Sequence, residues 1–122
     1  MEDIMPRITV YQKPACTTCR KVYNTLKEKG VDFDAVNYYV DPIPKTKLKG
    51  LLKKMGIKAH ELLRRKEDIY KQLKLSEREK KLSEDEIVDL MVKHPDLIQR
   101  PIVEKGTKAI LARPAERIKE IL

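Results

Sequence analysis

The two cysteines of this chain, Cys16 and Cys19, lie between a strand pattern and a helix pattern, and this placement limits the folds that the chain can adopt. Residues 7–11 alternate in polarity and are rich in β-branched side chains, which predicts a strand. A helical pattern begins at the first cysteine, and a second strand is predicted at 31–40. A strand, a helix and a strand in this order favour a parallel pair joined by a right-handed crossover.

The rest of the chain predicts helices followed by a hairpin. A helical insert is expected at about 44–98, and its last helix begins at a capping box that starts with Ser83. Residues 100–104 and 108–112 have the pattern of two strands joined by a turn, and a final helix is expected from Pro114 onward. The sequence therefore predicts an α/β protein with a four-stranded mixed sheet, in the order β-α-β, helical insert, β-β-α, flanked by helices.

Length and composition narrow the classes of function. A chain of 122 residues favours a single domain over residues 1–122. The net charge of +8 attracts anions, although a lysine-rich surface also serves solubility alone. One Phe, five Tyr and no Trp offer few platforms for base stacking, so direct nucleic-acid binding is not expected. The 38% of charged residues fits either solvated helix faces or adaptation to heat.

The sequence also bears on where the protein works. It has no run of about 20 apolar residues, so no membrane-spanning helix is expected. Residues 1–6 lack the charged and then apolar pattern of a signal peptide, which predicts a cytoplasmic protein. In that compartment a Cys-x-x-Cys pair is more often catalytic, redox-sensing or metal-binding than structural.

Cys16 is the candidate nucleophile. It lies at the predicted start of a helix, where unpaired N–H groups and the macrodipole stabilise a thiolate and lower its pKa. Lys13 and Arg20 add positive charge nearby, so Arg20 is expected to help hold Cys16 as the thiolate. Cys19 lies one turn further into the helix and is expected to be more buried. That position suits a resolving cysteine that forms an internal disulfide.

Two other interpretations of the cysteine pair stay open. Both thiols are inert if they are simply buried at the helix start. A zinc site is the other alternative, since His60 and His94 would complete a set of four ligands. The spacing of these residues matches no zinc finger or ribbon, so no metal is expected. The two histidines are expected at the surface or at helix ends.

Three arginines lie next to predicted structural junctions: Arg64, Arg100 and Arg113. Arg100 and Arg113 each precede a proline, which restricts the local backbone. A guanidinium group held in this way matches the geometry of a tetrahedral oxyanion. Arginines that are solvated or paired with carboxylates are the alternative interpretation.

Four groups of residues together carry a resemblance to a known family. They are Tyr11, Pro14, Cys16 and Arg20; Leu63, Arg64, Glu67 and Tyr70; Leu97, Ile98 and the run 100–103; and Gly106, Thr107, Arg113 and Pro114. On these residues the sequence resembles the arsenate reductase (ArsC) family of thioredoxin-like proteins, which also includes the Spx transcriptional regulators. The resemblance covers nearly the whole chain and implies a thioredoxin-like fold with a helical insert.

The resemblance also implies roles for the candidate site residues. In the reductases of the family, the cysteine that matches Cys16 attacks arsenate, and the arginines that match Arg64, Arg100 and Arg113 bind the oxyanion. The proline that matches Pro101 is usually cis and faces the cysteine loop. No bound cofactor is implied. The electrons come from an external thiol reductant, either glutathione with glutaredoxin or thioredoxin.

Two residues depart from the pattern of the glutaredoxin-linked reductases. Gln12 stands where those enzymes have a histidine, and Cys19 stands where they have a serine. A second cysteine at that position is found in Spx proteins, which use the pair as a redox switch and bind the RNA polymerase α-subunit. We therefore expect a thiol oxidoreductase similar to arsenate reductase, with Cys16 as nucleophile and a redox-active disulfide to Cys19. The alternative is an Spx-like, redox-switched transcriptional regulator.

Overall fold

The computed structural model describes residues 7–122 and divides the chain into two compact units. Within the described part, the first unit combines residues 7–41 with Arg100–Leu122. The second unit is Pro42–Gln99, and it includes the range 44–98 that the sequence predicts as a helical insert.

Three expectations concern the chain as a whole: its domain count, a signal pattern and membrane-spanning helices. The assignment of residues 1–122 to one domain stays a prediction. The expectation that residues 1–6 carry no signal pattern lies outside the described residues. Within residues 7–122, no helix has the length and apolar character needed to cross a bilayer.

The first unit contains the predicted four-stranded mixed sheet. The strands are β1 Ile8–Gln12, β2 Phe33–Asn37, β3 Ile102–Lys105 and β4 Lys108–Leu111. Their order in the sheet is β2-β1-β3-β4. β1 and β2 are parallel, whereas β1 with β3 and β3 with β4 are antiparallel. The α/β fold class expected from the sequence is therefore confirmed.

Helix α1, Thr17–Glu28, buries one stripe of side chains beside the sheet. Cys19, Val22 and Leu26 form this stripe, at the spacing of one helix face. The last two belong to an apolar cluster whose other buried members are Ile8, Val10, Val103, Ala112, Ile118 and Ile121. Burial of each large aliphatic side chain stabilises the fold by roughly 1.5–3 kcal/mol. This packing fixes the direction of α1, and with it the position of the cysteine loop.

Strand β2 is shorter than the predicted strand at 31–40, because Asn37 turns the chain. The Asn37 side-chain oxygen accepts a hydrogen bond from the N–H of Tyr39 at 3.0 Å. The Asn37 carbonyl accepts from the N–H groups of Val40 and Asp41 at 3.0 and 2.9 Å. Asparagine favours this local closure over continued strand pairing, so the residues after it leave the sheet.

The hairpin strand predicted to begin at Arg100 begins two residues later, at Ile102. Pro101 has no N–H to donate to a strand ladder, and its carbonyl instead accepts from the N–H of Ala112 at 2.9 Å. Arg100 therefore belongs to the loop that precedes β3. The hairpin turn contains Gly106 at φ 59°, a backbone conformation that glycine adopts readily.

The final helix also differs from the prediction of an α-helix. It is a 3₁₀ helix over Ala115–Glu120, and Pro114 lies just before it. The apolar side chains that pack on the core are Ala115, Ile118 and Ile121, which recur every three residues. That is the period of a 3₁₀ helix, in which side chains at i and i+3 are aligned. The spacing of the packed side chains thus matches the helix type that the structure shows.

The second unit is helical, as predicted for the insert. Its α-helices are α2 Lys45–Met55, α3 Ala59–Leu62, α4 Asp68–Gln72, α5 Leu75–Arg78 and α6 Glu84–Lys93. The capping box at the start of α6 is confirmed. Ser83 Oγ accepts from the N–H of Glu86 at 3.1 Å, and the Glu86 carboxylate accepts from the N–H of Ser83 at 2.9 Å.

Polar contacts also link the helices of the second unit. His60 of α3 pairs through Nδ1 with Glu84 of α6, and this contact raises the pKa of His60. Glu79 accepts hydrogen bonds from the Arg65 guanidinium at 2.6 Å and from the Tyr70 hydroxyl at 2.8 Å. His60 is thus held by protein partners within this unit.

Candidate active site

Cys16 forms the cap at the start of α1. Its N–H donates to the carbonyl of Lys13 at 2.9 Å, which closes the loop between β1 and the helix. Its sulfur accepts from the backbone N–H of Cys19 at 3.5 Å. The sulfur therefore takes the place of a capping oxygen, and a helix N-terminus stabilises negative charge on it.

Cys19 is completely buried, whereas Cys16 is partly exposed. Burial is the main reason that the pKa of Cys19 is raised to about 12, and a hydrogen bond to the Cys16 sulfur adds to the effect. Cys19 is thus a protonated thiol that donates toward the thiolate of its neighbour. The two cysteines have the unequal exposure that the sequence predicts.

Arg113 and Arg100 approach this sulfur from the far end of the chain. Arg113 Nη1 lies 4.0 Å from Cys16 Sγ and donates to the carbonyl oxygen of Arg100 at 2.9 Å. Arg100 is only 5% exposed, and its Nη1 donates to the hydroxyl of Tyr39 at 3.2 Å. The peptide bonds that follow the two arginines, to Pro101 and Pro114, are both cis.

The electrostatics of the site favour the Cys16 thiolate. Burial raises the pKa of Cys16, but hydrogen bonds from the backbone and thiol of Cys19 and the hydrogen bond and charge of Arg100 outweigh it. Together they lower the pKa of Cys16 from 9.0 to about 7. Roughly half of the molecules then carry a thiolate at neutral pH, against about one in a hundred for an unperturbed thiol.

Arg20 and Arg64 are the other two cations that the sequence predicts for the site, and each lies within its own unit. Arg20 is exposed and lines a surface cavity with Gln12, Pro14, Tyr23 and Asn24. Arg64 belongs to the second unit, where its Nε lies 2.9 Å from a carboxylate oxygen of Glu67 and its N–H donates to the Leu97 carbonyl at 2.8 Å. The roles expected for Arg20 and Arg64 stay predictions.

Gln12 is a buried polar residue at the end of β1. It is 7% exposed, and among residues 7–122 its Oε1 has no hydrogen-bond partner. A buried amide oxygen without a donor costs free energy, so a donor at this oxygen would stabilise the site. Gln12 occupies the position at which the resemblance expects a histidine.

Tyr39 is the residue of the site that the sequence does not reveal. Its hydroxyl contacts Arg100, and the Lys13 ammonium lies 4.8 Å from the centre of its ring. In the sequence it looks like the continuation of strand β2. The only local signal is Asn37, which favours a turn just before it.

A metal centre has no basis in the part of the chain that the structure describes. Residues 7–122 contain no group of three or more His, Cys, Asp or Glu side chains arranged to hold a metal ion. The arrangement at Cys16 instead combines a reactive thiolate with fixed positive charge. Chemically, this arrangement offers a nucleophile and positive charge to the same anion.

A model of the ArsC family matches residues 11–121 of this sequence. The chain belongs to the ArsC family. The match includes both cysteines and all three candidate oxyanion-binding arginines.

Relatives of this ArsC-family chain are similar over nearly its full length. It is 40% identical over 117 residues to the uncharacterized protein YfgD of Escherichia coli (strain K12). The aligned residues make up 95% of this chain and 97% of that protein. It is 36% identical to an arsenate reductase of Escherichia coli, over 97% of this chain and 82% of the reductase. The solved structure of an arsenate reductase from Vibrio cholerae superposes with a TM-score of 0.90 and 31% identity, over 98% of this chain and all of that one. The thioredoxin-like fold implied by the resemblance is confirmed by this likeness.

Proposed function

We propose that the protein is a thiol-dependent oxidoreductase of the arsenate reductase type, with Cys16 as its nucleophile. The observation that carries the proposal is the meeting of Cys16, Arg100 and Arg113 at the start of α1, where the pKa of Cys16 is lowered to about 7. The similarity to arsenate reductases over nearly the whole chain supports arsenate as the oxyanion.

In the first step, the Cys16 thiolate attacks the arsenic atom of arsenate and forms a sulfur–arsenic bond. One oxygen leaves as hydroxide, which takes a proton and becomes water. Arg100 and Arg113 neutralise charge on the remaining oxygens, and Arg64 is proposed as the third oxyanion-binding arginine. Arg20 is proposed to keep Cys16 ionised before the attack.

In the second step, Cys19 loses its proton and attacks the Cys16 sulfur. The sulfur–arsenic bond breaks, its electron pair remains on arsenic, and arsenite leaves as the two cysteines form a disulfide. Bonding of Cys16 to arsenic removes the negative charge that helps raise the pKa of Cys19. The resolving thiol thus becomes easier to ionise once the first step is complete.

An external thiol then returns the enzyme to its dithiol form. Because Cys16 is the exposed partner, the reductant attacks its sulfur and releases Cys19. Glutathione with glutaredoxin, or thioredoxin, is the proposed electron donor, and no bound cofactor is involved. This chemistry suits the reducing conditions of the cytoplasm, which we propose as the location of the protein.

The test is arsenate-dependent oxidation of NADPH, coupled through either the glutaredoxin or the thioredoxin system. We expect turnover by the native chain and none by Cys16→Ser, which retains the shape of the residue but not the thiolate. Lack of turnover by the native chain with every reductant would overturn arsenate reduction. Mild oxidation followed by mass spectrometry tests the disulfide without arsenate. We expect Cys16 and Cys19 to lose their thiol reactivity together.

The second candidate is an Spx-like regulator that binds the RNA polymerase α-subunit through a redox switch. The Cys16–Cys19 pair favours it, because a disulfide there is reversible without any substrate. A pull-down with the α-subunit under reducing and oxidising conditions separates the two candidates. Binding that changes with redox state, together with absence of turnover, would favour the regulator.

A further inference from the structure

We propose that Tyr39 is a positioning residue beside the cysteine loop. Its ring holds Lys13, and its hydroxyl holds Arg100. The inference rests on the proposed function, because it concerns how the same anion site is kept in order. It assigns a role to a residue outside the motifs that carry the family resemblance.

The structure connects Tyr39 to both cations directly. The Lys13 ammonium lies 4.8 Å from the ring centre, within the range of a cation–π interaction. Arg100 Nη1 donates to the Tyr39 hydroxyl at 3.2 Å. Lys13 also supplies the carbonyl that accepts from the N–H of Cys16. One tyrosine thus joins the loop before α1 to the loop before β3.

The position of Tyr39 is set by its own backbone and by a neighbouring ring. The Asn37 side chain accepts from the N–H of Tyr39 at 3.0 Å. The ring of Tyr38, which is buried, lies against that of Tyr39 with centres 5.1 Å apart. A side chain anchored at its backbone and along its ring loses little entropy when it binds, so it is a good support for the long side chains of lysine and arginine.

The physical need for such a residue comes from like-charge repulsion. Lys13, Arg100 and Arg113 are all positive, and the site gains by keeping them together before an anion arrives. A carboxylate would hold them but would also cancel the charge that the anion needs. Tyrosine is neutral, yet its ring face attracts an ammonium and its oxygen accepts from a guanidinium. It therefore orders two cations and leaves the net charge of the site unchanged.

The consequence for Cys16 runs through Arg100. Arg100 lowers the pKa of Cys16 by hydrogen bonding and by charge, so looser positioning of Arg100 weakens both effects. Tyr38 also hydrogen-bonds Arg100, and loss of the Tyr39 hydroxyl is therefore a partial loss. We expect Tyr39→Phe to raise the pKa of Cys16 and to weaken oxyanion binding about two- to fivefold, the lower part of the range for one hydrogen bond.

The test measures two properties of the full chain without turnover. Alkylation of Cys16 by iodoacetamide, followed by mass spectrometry across pH, gives its thiol pKa. Protection of Cys16 by inorganic phosphate, a tetrahedral oxyanion that the thiol does not reduce, gives the affinity for the oxyanion. Tyr39→Phe removes only the hydroxyl, and Tyr39→Leu also removes the ring and is expected to weaken protection further.

The matched control is Tyr23→Phe. Tyr23 also carries a lysine over its ring, with the Lys27 ammonium at 5.5 Å, and packs edge-on against Phe33. Its hydroxyl makes no hydrogen bond with residues 7–122, so this variant is expected to match the native chain in both measurements.

A double-mutant cycle with Arg100→Lys separates positioning from general destabilisation. If Tyr39 acts through Arg100, Tyr39→Phe has little further effect in the Arg100→Lys background. Strictly additive effects, or a Tyr39→Phe variant that matches the native chain in pKa and in protection, would overturn the proposal. Absence of anion protection in the native chain would count against the proposed function instead, and the thiol pKa would still decide the role of Tyr39.

Discussion

Two substitutions of Cys19 separate its electrostatic role from its redox role. Cys19→Ala removes the thiol that donates to Cys16, whereas Cys19→Ser replaces it with a hydroxyl donor of similar size. Both variants keep the backbone N–H that donates to the Cys16 sulfur, and neither can form the disulfide. They should therefore behave alike in redox cycling and differently in the acidity of Cys16.

The size of the difference follows from the groups around the Cys16 sulfur. Its pKa falls from 9.0 to about 7 although burial acts in the opposite direction. The groups that lower it are the backbone and thiol of Cys19 and the hydrogen bond and charge of Arg100. If the Cys19 thiol supplies between about a quarter and a half of this fall, removal of that thiol raises the pKa of Cys16 by roughly half a unit to one unit. The thiolate population below neutral pH then drops roughly three- to tenfold.

The assay is the rate of iodoacetamide alkylation at Cys16 from pH 5 to pH 10, with the modified residue identified by mass spectrometry. The midpoint gives the pKa, and it does not depend on the intrinsic nucleophilicity of the thiolate. We expect a midpoint near 7 for the native chain, a similar value for Cys19→Ser, and a higher value for Cys19→Ala. Equal midpoints for Cys19→Ala and the native chain would refute the view that the Cys19 thiol stabilises the thiolate.

Three further predictions concern stability. Tyr11→Phe removes the buried hydrogen bond from Tyr11 to Glu104, at 3.0 Å, and should cost about 1 kcal/mol in urea unfolding; an unchanged free energy of unfolding would contradict it. Ser83→Ala should cost about 1 kcal/mol through loss of the cap of α6, and Ser83→Asp should retain most of it; equal losses in both would argue against a capping role. His60 has its pKa raised above 6.5 by Glu84, so its pairing stabilises the fold fully below pH 6.5 and loses that effect as the pH rises through the folded-state pKa. His60→Gln should therefore cost more stability at pH 6 than at pH 9, and a cost independent of pH would count against the ion pair.

Much of the fold was predictable because its signals are local. The alternation of residues 7–11, the helical spacing after Cys16 and the capping box at Ser83 each predict an element from a few neighbouring residues. The mixed sheet then follows from the order of those elements and from the handedness of the crossover. Predictions failed where packing or a single side chain overrode the pattern, as at Asn37 and in the 3₁₀ helix after Pro114.

The candidate site was predictable in part. The cysteine pair and its exposure follow from position at a helix start, where the capping residue lies at the open end of the helix and the residue one turn later lies deeper in the fold. Arg100 and Arg113 stand out because each precedes a proline, but that signal is weak by itself, and the family resemblance strengthens it. Nothing local in the sequence indicates that Tyr39 contacts Arg100.

The thiol chemistry of this protein is already set by its primary structure, because a helix N-terminus lowers the pKa of the cysteine that caps it wherever the helix lies. The charges that surround that thiol, by contrast, depend on the folded arrangement of the chain. Arg113 lies 97 positions from Cys16 in the chain, and Arg100 lies 61 positions from Tyr39. Sheet pairing and the packing of α1 bring these residues within hydrogen-bond reach, because a packed core admits one arrangement of its strands and helices. Contacts between residues far apart in the chain therefore have to be read from the folded structure, because no local sequence pattern indicates them.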